Sequence, residues 1–148
     1  HLPFAPARGE TLQIKIMVQT PMSNGSWYLP DGLGCALIGS TWDHENLLSG
    51  PTKEGKNEII KKCNFVKIEE EQIEKEFSGV RSGTRDRNPI IGVHPQKNNY
   101  FLFNGFGSRG TSTIPYYSKK MIDFIIHKKE LPEEVNLQRF EKEKFSNS

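Results

Sequence analysis

Three glycines near residue 105 have a spacing that could bring backbone N–H groups against an anion or a polar ring. Residues 104–115 contain Gly105, Gly107 and Gly110 in the pattern G-x-G-x-x-G, after the apolar run 100–103 and before an amphipathic segment. A strand, a glycine turn and a helix in that order present N–H groups at the positive end of the helix. This glycine pattern is that of a dinucleotide-binding turn.

The residues after the turn do not support a complete dinucleotide-binding unit. Such a unit needs a second strand after the helix and an acidic residue about twenty positions beyond the glycines. The helical segment runs instead into Pro132, and Asp123 lies within the helix. Ser108 is not a nucleophile elbow either, because Phe106 stands where G-x-S-x-G needs glycine. The turn therefore holds another polar ligand, or it is a structural corner whose glycines permit close packing.

A second polar cluster, residues 79–87, contains Arg81, Arg85, Asp86 and Arg87. An arginine at a strand end beside glycines can hold a carboxylate through its planar guanidinium group. The same residues could form a surface turn held by ion pairs. The chemistry of the side chains leaves both interpretations open.

Composition predicts a globular chain. It has 148 residues, 34% of them hydrophobic and 26% charged, which is enough for one domain with a core. The net charge of +2 is too small to indicate nucleic-acid binding. No apolar run is long enough to cross a membrane, and the start has no apolar leader.

The cysteine and histidine residues predict no metal site. Cys35 and Cys63 form no C-x-x-C pair, and we expect two reduced structural thiols in a cytoplasmic protein. The four histidines are scattered along the chain. They are His1, His44, His94 and His127.

Alternating residues in the first part of the chain predict an antiparallel meander. After a turn at residues 6–10, the predicted strands cover residues 11–18, 27–29 and 34–41, with a turn at 22–26. The first strand should bury Leu12, Ile14, Ile16 and Val18.

After these strands, the spacing of the apolar residues changes to that of a helix. Thr52 is placed to cap a helix that runs to Cys63. The mixed charges of residues 53–76 indicate a solvated face, and a strand is expected from about Glu74 to Arg85.

The rest of the chain predicts a strand and a long helix around the glycine turn. Residues 85–89 form a turn, 89–92 an extended segment, 94–99 a polar loop and 100–103 a strand. The helix should end near Lys128 and Lys129, and residues 133–148 should be a short helix or a frayed tail. One apolar face of the helix, with residues spaced three and four apart, consists of Ile114, Tyr117, Met121, Ile122 and Ile125.

Taken together, four of these stretches resemble the D-amino-acid oxidase superfamily of FAD-dependent oxidoreductases, over residues 6 to about 139. Residues 6–10 are similar to the family's P-x-R-G-[QE] turn, and residues 37–41 to its v-I-G-[AS]-T strand. Residues 79–92 are similar to G-x-R-x-x-T-x-D-x-x-P-x-[IV]-G, and residues 105–110 to its closing G-x-G-x-x-G. Each motif is weak by itself, but four in the family's order are specific.

Within the superfamily, the closest resemblance is to the oxidase domain of the bifunctional enzyme that modifies the wobble uridine of tRNA. It rests on Thr84, Arg85 and Asp86, on residues 107–110, and on the ending at residues 131–132 and 137–140. Glycine oxidase and D-amino-acid oxidases share most of these motifs.

The resemblance implies an α+β fold that forms the C-terminal portion of a two-domain flavoenzyme. Residues 1–99 would be the end of the substrate domain, an antiparallel or mixed sheet with a crossing helix. Residues 100–130 would be a strand and a helix that pack on a missing N-terminal FAD-binding Rossmann domain, and residues 131–148 a charged tail. A homodimer of the fragment could cover the same surface.

The resemblance also implies where FAD and substrate would lie. The flavin ring would face the turn formed by Gly105, Phe106, Gly107, Ser108, Arg109, Gly110 and Thr111. Arg81 stands at the position that binds the substrate carboxylate, although Ser82 follows it where many oxidases have proline.

The implied reaction oxidises a C–N bond of an amine or amino acid, with hydride transfer to the flavin; a modified tRNA is another implied partner. The alternative is a small non-enzymatic α+β binding module whose glycine turn is only structural.

Overall fold

The computed structural model describes residues 2–15 and 18–140, and the chain forms two compact units. The sheet unit comprises Ala7–Val80, and the turn unit comprises His1–Pro6 and Arg81–Ser148. The predicted division at residues 99 and 130 concerns the parts of a whole flavoenzyme and stays a prediction. The compact units are divided differently, at the end of a strand near Arg81.

The sheet unit is built on a five-stranded sheet, which together with the helices confirms the predicted α+β class. The strands are β1 (Ala7–Lys15), β2 (Met22–Ser23), β3 (Trp27–Pro30), β4 (Cys35–Gly39) and β5 (Ile73–Arg81), in the order β2-β3-β4-β1-β5. The pairs β2–β3, β3–β4 and β1–β4 are antiparallel. Helix α1 (Lys53–Lys62) and a 3₁₀ turn (Glu70–Gln72) precede β5.

The core of the sheet unit lies between the sheet and α1. Leu12 pairs with Ile38, and Ile38 pairs with Tyr28, so three strands place buried side chains in one row. Ile59 of α1 is buried in the same cluster. Each buried side chain of this size stabilises the fold by about 1.5–3 kcal/mol. The alternation seen in the sequence is therefore confirmed for Leu12 and Ile14.

The predicted helix cap at Thr52 is confirmed. The Thr52 hydroxyl accepts the backbone N–H of Gly55 at 3.0 Å, and Lys61 and Lys62 occupy the last turn. Such a cap satisfies an N–H group that has no partner within the helix. The helix ends at Cys63, as the sequence predicts.

Four predictions for the sheet unit are wrong in detail. Residues 6–10 are not a turn, because residues 7–10 are the buried first half of β1. β4 lies between β3 and β1, so the three predicted strands do not follow one another across the sheet. β5 ends at Arg81, four residues before the predicted end at Arg85. Val18 is 41% exposed, and Ile16 lies outside the described residues.

The turn unit contains a β-hairpin and a long helix. Strands β6 (Ile90–His94) and β7 (Lys97–Asn104) pair antiparallel as a two-stranded sheet. The polar loop predicted at residues 94–99 is instead a tight hairpin, because Lys97 already pairs with His94. After β7 come a 3₁₀ turn (Gly107–Arg109) and α2 (Gly110–His127), so the strand–turn–helix prediction is confirmed.

Part of the predicted apolar face of α2 is buried within this chain. Met121 is buried, and Tyr117 and Ile125 pack against its cluster. Ile114 and Ile122 of the predicted apolar face are exposed, Ile122 to 54%. The helix ends at Lys128 in the left-handed conformation, as expected near the two lysines.

The segment after α2 is not a frayed tail where it is described. Leu131, Val135 and Leu137 are buried. The Ile91 N–H donates to the Val135 carbonyl and the Leu137 N–H to the Ile91 carbonyl, both at 2.8 Å. Three apolar side chains therefore hold residues 131–140 on β6, and the predicted tail at 141–148 lies outside the described residues.

None of the helices within residues 2–15 and 18–140 is long and apolar enough to cross a membrane.

Candidate functional site

The two polar stretches singled out in the sequence are joined by a backbone hydrogen bond. The Gly107 N–H donates to the Ser82 carbonyl at 2.8 Å, so the glycine turn is fixed to the residue that follows Arg81. Gly107 has a φ of +54°, which disfavours other residues. Within the turn unit, the structure thus brings residues 81–82 and the glycine turn together.

Gly105 is required for close packing as well as for backbone conformation. Its φ is +82°, and a Cβ atom at this position would lie 2.7 Å from Cγ2 of Thr84. Thr84 is buried, and its hydroxyl donates to the Asn88 carbonyl at 2.7 Å. Thr84 therefore cannot move aside without losing a hydrogen bond.

The start of α2 leaves backbone donors without partners in the helix. The first N–H groups of any helix lack an intrahelical acceptor, and the first turn of α2 contains no acidic residue. The hydroxyls of Ser112 and Thr113 donate back to the Arg109 carbonyl, so they do not cap these donors. Ser108 and Thr111 are exposed beside them. Among the described residues, therefore, no side chain caps the positive end of α2.

Not every group of the turn is free for a ligand. The N–H groups of Gly105 and Gly107 donate to the Asn104 side chain and to the Ser82 carbonyl. The Phe106 ring packs on Phe103, with ring centres 4.6 Å apart. The sequence pattern treated the three glycines alike, whereas the donors left for a ligand come mainly from the helix start.

Arg81 is half-buried at the end of β5. Burial lowers the pKa of its guanidinium, because the charged form loses hydration. Arginine nevertheless stays protonated in proteins. A cation in this position favours an anionic group beside it, and a carboxylate matches the geometry of guanidinium.

The 84–88 loop follows Arg81 and touches the glycine turn. The Arg87 N–H donates to the Thr84 carbonyl at 3.2 Å, and Arg87 has a left-handed φ of +62°. The Arg109 guanidinium donates to the Arg87 carbonyl. One hydrogen bond within the loop and one from Arg109 therefore fix the conformation of the loop beside the glycine turn.

The ion pair of this loop differs from the surface ion-pair turn considered from the sequence. Asp86 pairs at 2.9 Å with Arg139, which lies 53 positions later in the chain. Burial raises the pKa of Asp86, but hydrogen bonds from Arg139 and from the Asn88 N–H outweigh it, and the pKa lies below its ordinary value. Arg139 was missed because its segment carries no local sign of this contact.

The sheet unit holds a separate buried ion network. Arg8 contacts Glu10 at 2.9 Å and Asp43 at 3.1 Å. Glu10 accepts the N–H and the hydroxyl of Thr52, at 2.8 and 2.9 Å. This network fastens β1 to the start of α1, so it has a structural role within the sheet unit.

The two cysteines are free thiols. Cys63 is buried with its sulfur 3.1 Å from the Ser26 hydroxyl, and burial raises the pKa of its thiol. A thiol with a raised pKa is a poor nucleophile at neutral pH. Among the described residues, no group of three or more His, Cys, Asp and Glu side chains could hold a metal ion.

Comparisons with known proteins bear on the same residues. Residues 1–123 match the family described as FAD dependent oxidoreductase (DAO). Glycine oxidase of Bacillus licheniformis is 26% identical over 129 residues, which cover 83% of this chain and 35% of that protein. The chain therefore spans about a third of the length of this relative.

Solved structures share the fold. Glycine oxidase from Geobacillus kaustophilus has a TM-score of 0.72 at 23% identity, covering 88% of this chain and 37% of that chain. L-proline dehydrogenase from P. horikoshii has a TM-score of 0.81 at 21% identity, covering 96% and 41%. Both share the α+β arrangement, and the family match covers the strand end, the 84–88 loop and the glycine turn. The chain belongs to the family of FAD dependent oxidoreductases.

Proposed function

We propose that this chain supplies the substrate-binding and flavin-ring end of an FAD-dependent oxidoreductase that oxidises a C–N bond of an amino acid or another amine. The observation that carries the proposal is the hydrogen bond from Gly107 to Ser82. It ties the residue after Arg81, the side chain proposed to bind a carboxylate, to the glycine turn that leads into α2. The cofactor, FAD, is inferred from membership of the family.

The residues of the turn fit the ring end of a flavin. The open N-terminus of α2 offers N–H donors and a partial positive charge, which suit the polar edge of the ring and a negative charge that develops there. The left-handed Gly105 and Gly107 let the backbone make the turn without side chains between it and a ligand. The residues proposed to face the ring are Gly105, Phe106, Gly107, Ser108, Arg109, Gly110 and Thr111.

Arg81 is proposed to bind the carboxylate of the substrate. A charge-assisted pair of hydrogen bonds fixes both the position and the orientation of an amino acid. Bound FAD would supply the acceptor for the hydride that leaves the carbon next to the amine nitrogen, and the imine product would hydrolyse in water. The contribution of the chain is to orient the amine, so the mechanism needs no acid–base pair from these residues.

The substrate and partners are proposed from the relatives and the motifs. Glycine oxidases among the relatives favour a small amino acid. The motifs at residues 84–86 and 107–110 add the amine of a modified tRNA as a larger substrate. We further propose that a Rossmann domain outside these 148 residues binds the nucleotide end of FAD.

The exposed apolar surface of the turn unit supports such a partner. Tyr100 and Phe101 of β7 are 62% and 45% exposed, and Ile122 and Ile126 of α2 are also exposed. A surface of this kind usually marks an interface. A homodimer of the 148-residue chain would cover the same side chains in the absence of that domain.

The role of Arg81 can be tested with the full-length protein and a panel of amino acids and amines. Arg81→Ala should raise KM for amino acids about 100-fold, because a charged hydrogen-bond pair is worth about 3 kcal/mol. Arg81→Lys should recover part of the loss, and Arg85→Ala, at an exposed neighbour, should behave as the wild type. Equal KM values for Arg81→Ala and the wild type would contradict the assignment.

A further inference from the structure

We propose that Arg139 is a positioning residue for the junction between the glycine turn and residues 81–82 of the same unit, an inference that rests on the proposed function. Arg139 lies in the segment after α2, far along the chain from both parts of the site. Its side chain is only 12% exposed. Arginine at such a position is held by its partners rather than by solvent.

The guanidinium of Arg139 binds three acceptors. Nε donates to Oδ2 of Asp86 at 2.9 Å, and Nη2 donates to the Asn88 carbonyl at 3.2 Å. Nη1 donates to the Asn136 carbonyl of its own segment at 3.2 Å. One planar group thus fastens residues 131–140 to the 84–88 loop at two points.

The 84–88 loop carries this constraint to the glycine turn. The Asn88 carbonyl that Arg139 binds also accepts the Thr84 hydroxyl at 2.7 Å. Thr84 packs so closely on Gly105 that no Cβ fits between them. At the other side of the loop, the Arg109 guanidinium donates to the Arg87 carbonyl. The turn is therefore supported by the loop, and the loop by Arg139.

The segment that carries Arg139 is itself fixed. Val135 and Leu137 exchange backbone hydrogen bonds with Ile91 of β6, and both side chains are buried. At Gly92 of the same strand, a Cβ atom would lie 2.9 Å from that of Leu137. Arg139 on this fixed segment acts as a rigid brace through its part-buried bonds to two carbonyls as well as through the ion pair, in which the Asp86 side chain is 36% exposed.

The charge of this contact is present at neutral pH. Burial works against ionisation of Asp86, but the hydrogen bonds from Arg139 and the Asn88 N–H keep its pKa below the ordinary value. Asp86 is therefore ionised, and the brace is intact, at the pH at which amine oxidation would be assayed. Protonation would weaken it only in acid, below the ordinary pKa of an aspartate.

The test compares four forms of the full-length protein: wild type, Arg139→Ala, Arg139→Lys and the control Lys129→Ala. Lys129 pairs with Asp123 at 3.4 Å near the exposed end of α2, so the control removes an ion pair away from the loop. Hydrogen exchange is measured for residues 105–110 and, as an internal reference, for β3 and β4. The visible flavin spectrum, KM and kcat are measured on the FAD-loaded protein.

We expect Arg139→Ala to speed exchange at residues 105–110 about tenfold, with β3 and β4 unchanged. The flavin spectrum should shift, and KM should rise about tenfold with a smaller change in kcat, because the binding groups remain but lose their alignment. Arg139→Lys should recover part of each effect, since an ammonium group lacks the planar set of donors. Lys129→Ala should match the wild type.

Wild-type exchange at residues 105–110 together with a wild-type spectrum and KM in Arg139→Ala would overturn the proposal. If Arg139→Ala does not fold, Asp86→Asn and Arg139→Lys decide the question, because each keeps a side chain of similar size. Both must show the same pattern in weaker form, and wild-type behaviour in both would overturn the proposal. If the wild type holds no FAD, the proposed function fails, but the exchange measurement still decides the role of Arg139.

Discussion

At the scale of single residues, the site depends on glycines as much as on residues with side chains. Gly105 and Gly107 both have left-handed φ values, but only Gly105 also lacks room for a Cβ atom. The motif in the sequence gave the two glycines equal weight. The difference comes from Thr84, whose position beside Gly105 could not be read from the local pattern.

Gly105→Ala should therefore destabilise the protein by about 2 kcal/mol, since the new methyl group meets Thr84 in an unfavourable backbone conformation. Urea unfolding measures the change. The matched control is Gly79→Ala on β5, where a Cβ atom would have nothing within 4 Å and φ is not left-handed. Equal unfolding midpoints for the two variants would show that Gly105 is not constrained as described.

At the scale of elements, local signals predicted helix ends well and long-range pairing poorly. Thr52 and Lys128 mark the start of α1 and the end of α2 through their own chemistry. The buried start of β1 was predicted as a turn, because Arg8 and Glu10 look solvent-facing until their partners are known. The segment 131–140 was predicted as a tail, because its apolar residues find their partner on β6, about forty positions earlier.

The ion network of β1 makes Glu10 a structural residue of the sheet unit. Glu10 is 2% exposed, and its carboxylate pairs with Arg8 and binds Thr52 at the start of α1. Glu10→Gln should cost about 3 kcal/mol, because it removes one of the two carboxylates that compensate the buried charge of Arg8. Denaturant unfolding measures the loss.

The matched control for that variant is Glu58→Gln on α1. Glu58 pairs with Lys62 one helical turn away, and both side chains are nearly half exposed. Its loss should be within about 0.5 kcal/mol. A Glu10→Gln protein as stable as this control would contradict the structural role of the network.

At the scale of the whole molecule, the sequence predicted the family and the class of fold, and both are confirmed. Four short motifs in a fixed order identified the family, although each was weak by itself. The contacts that support the site could not be predicted from the sequence. Ser82 contributes a backbone carbonyl, which every residue has, and Arg139 acts from a distant segment. Backbone acceptors and distant partners leave no pattern in the residue types.

The most direct measurement of the central claim is anaerobic reduction of the flavin by an amino acid in the full-length protein. The account predicts a yellow protein whose visible absorbance bleaches on addition of glycine or another amine substrate, and bleaches only at much higher substrate concentration in Arg81→Ala. A colourless protein that does not take up FAD, or a flavin that no amine in the panel reduces, would contradict it and favour a non-enzymatic binding module.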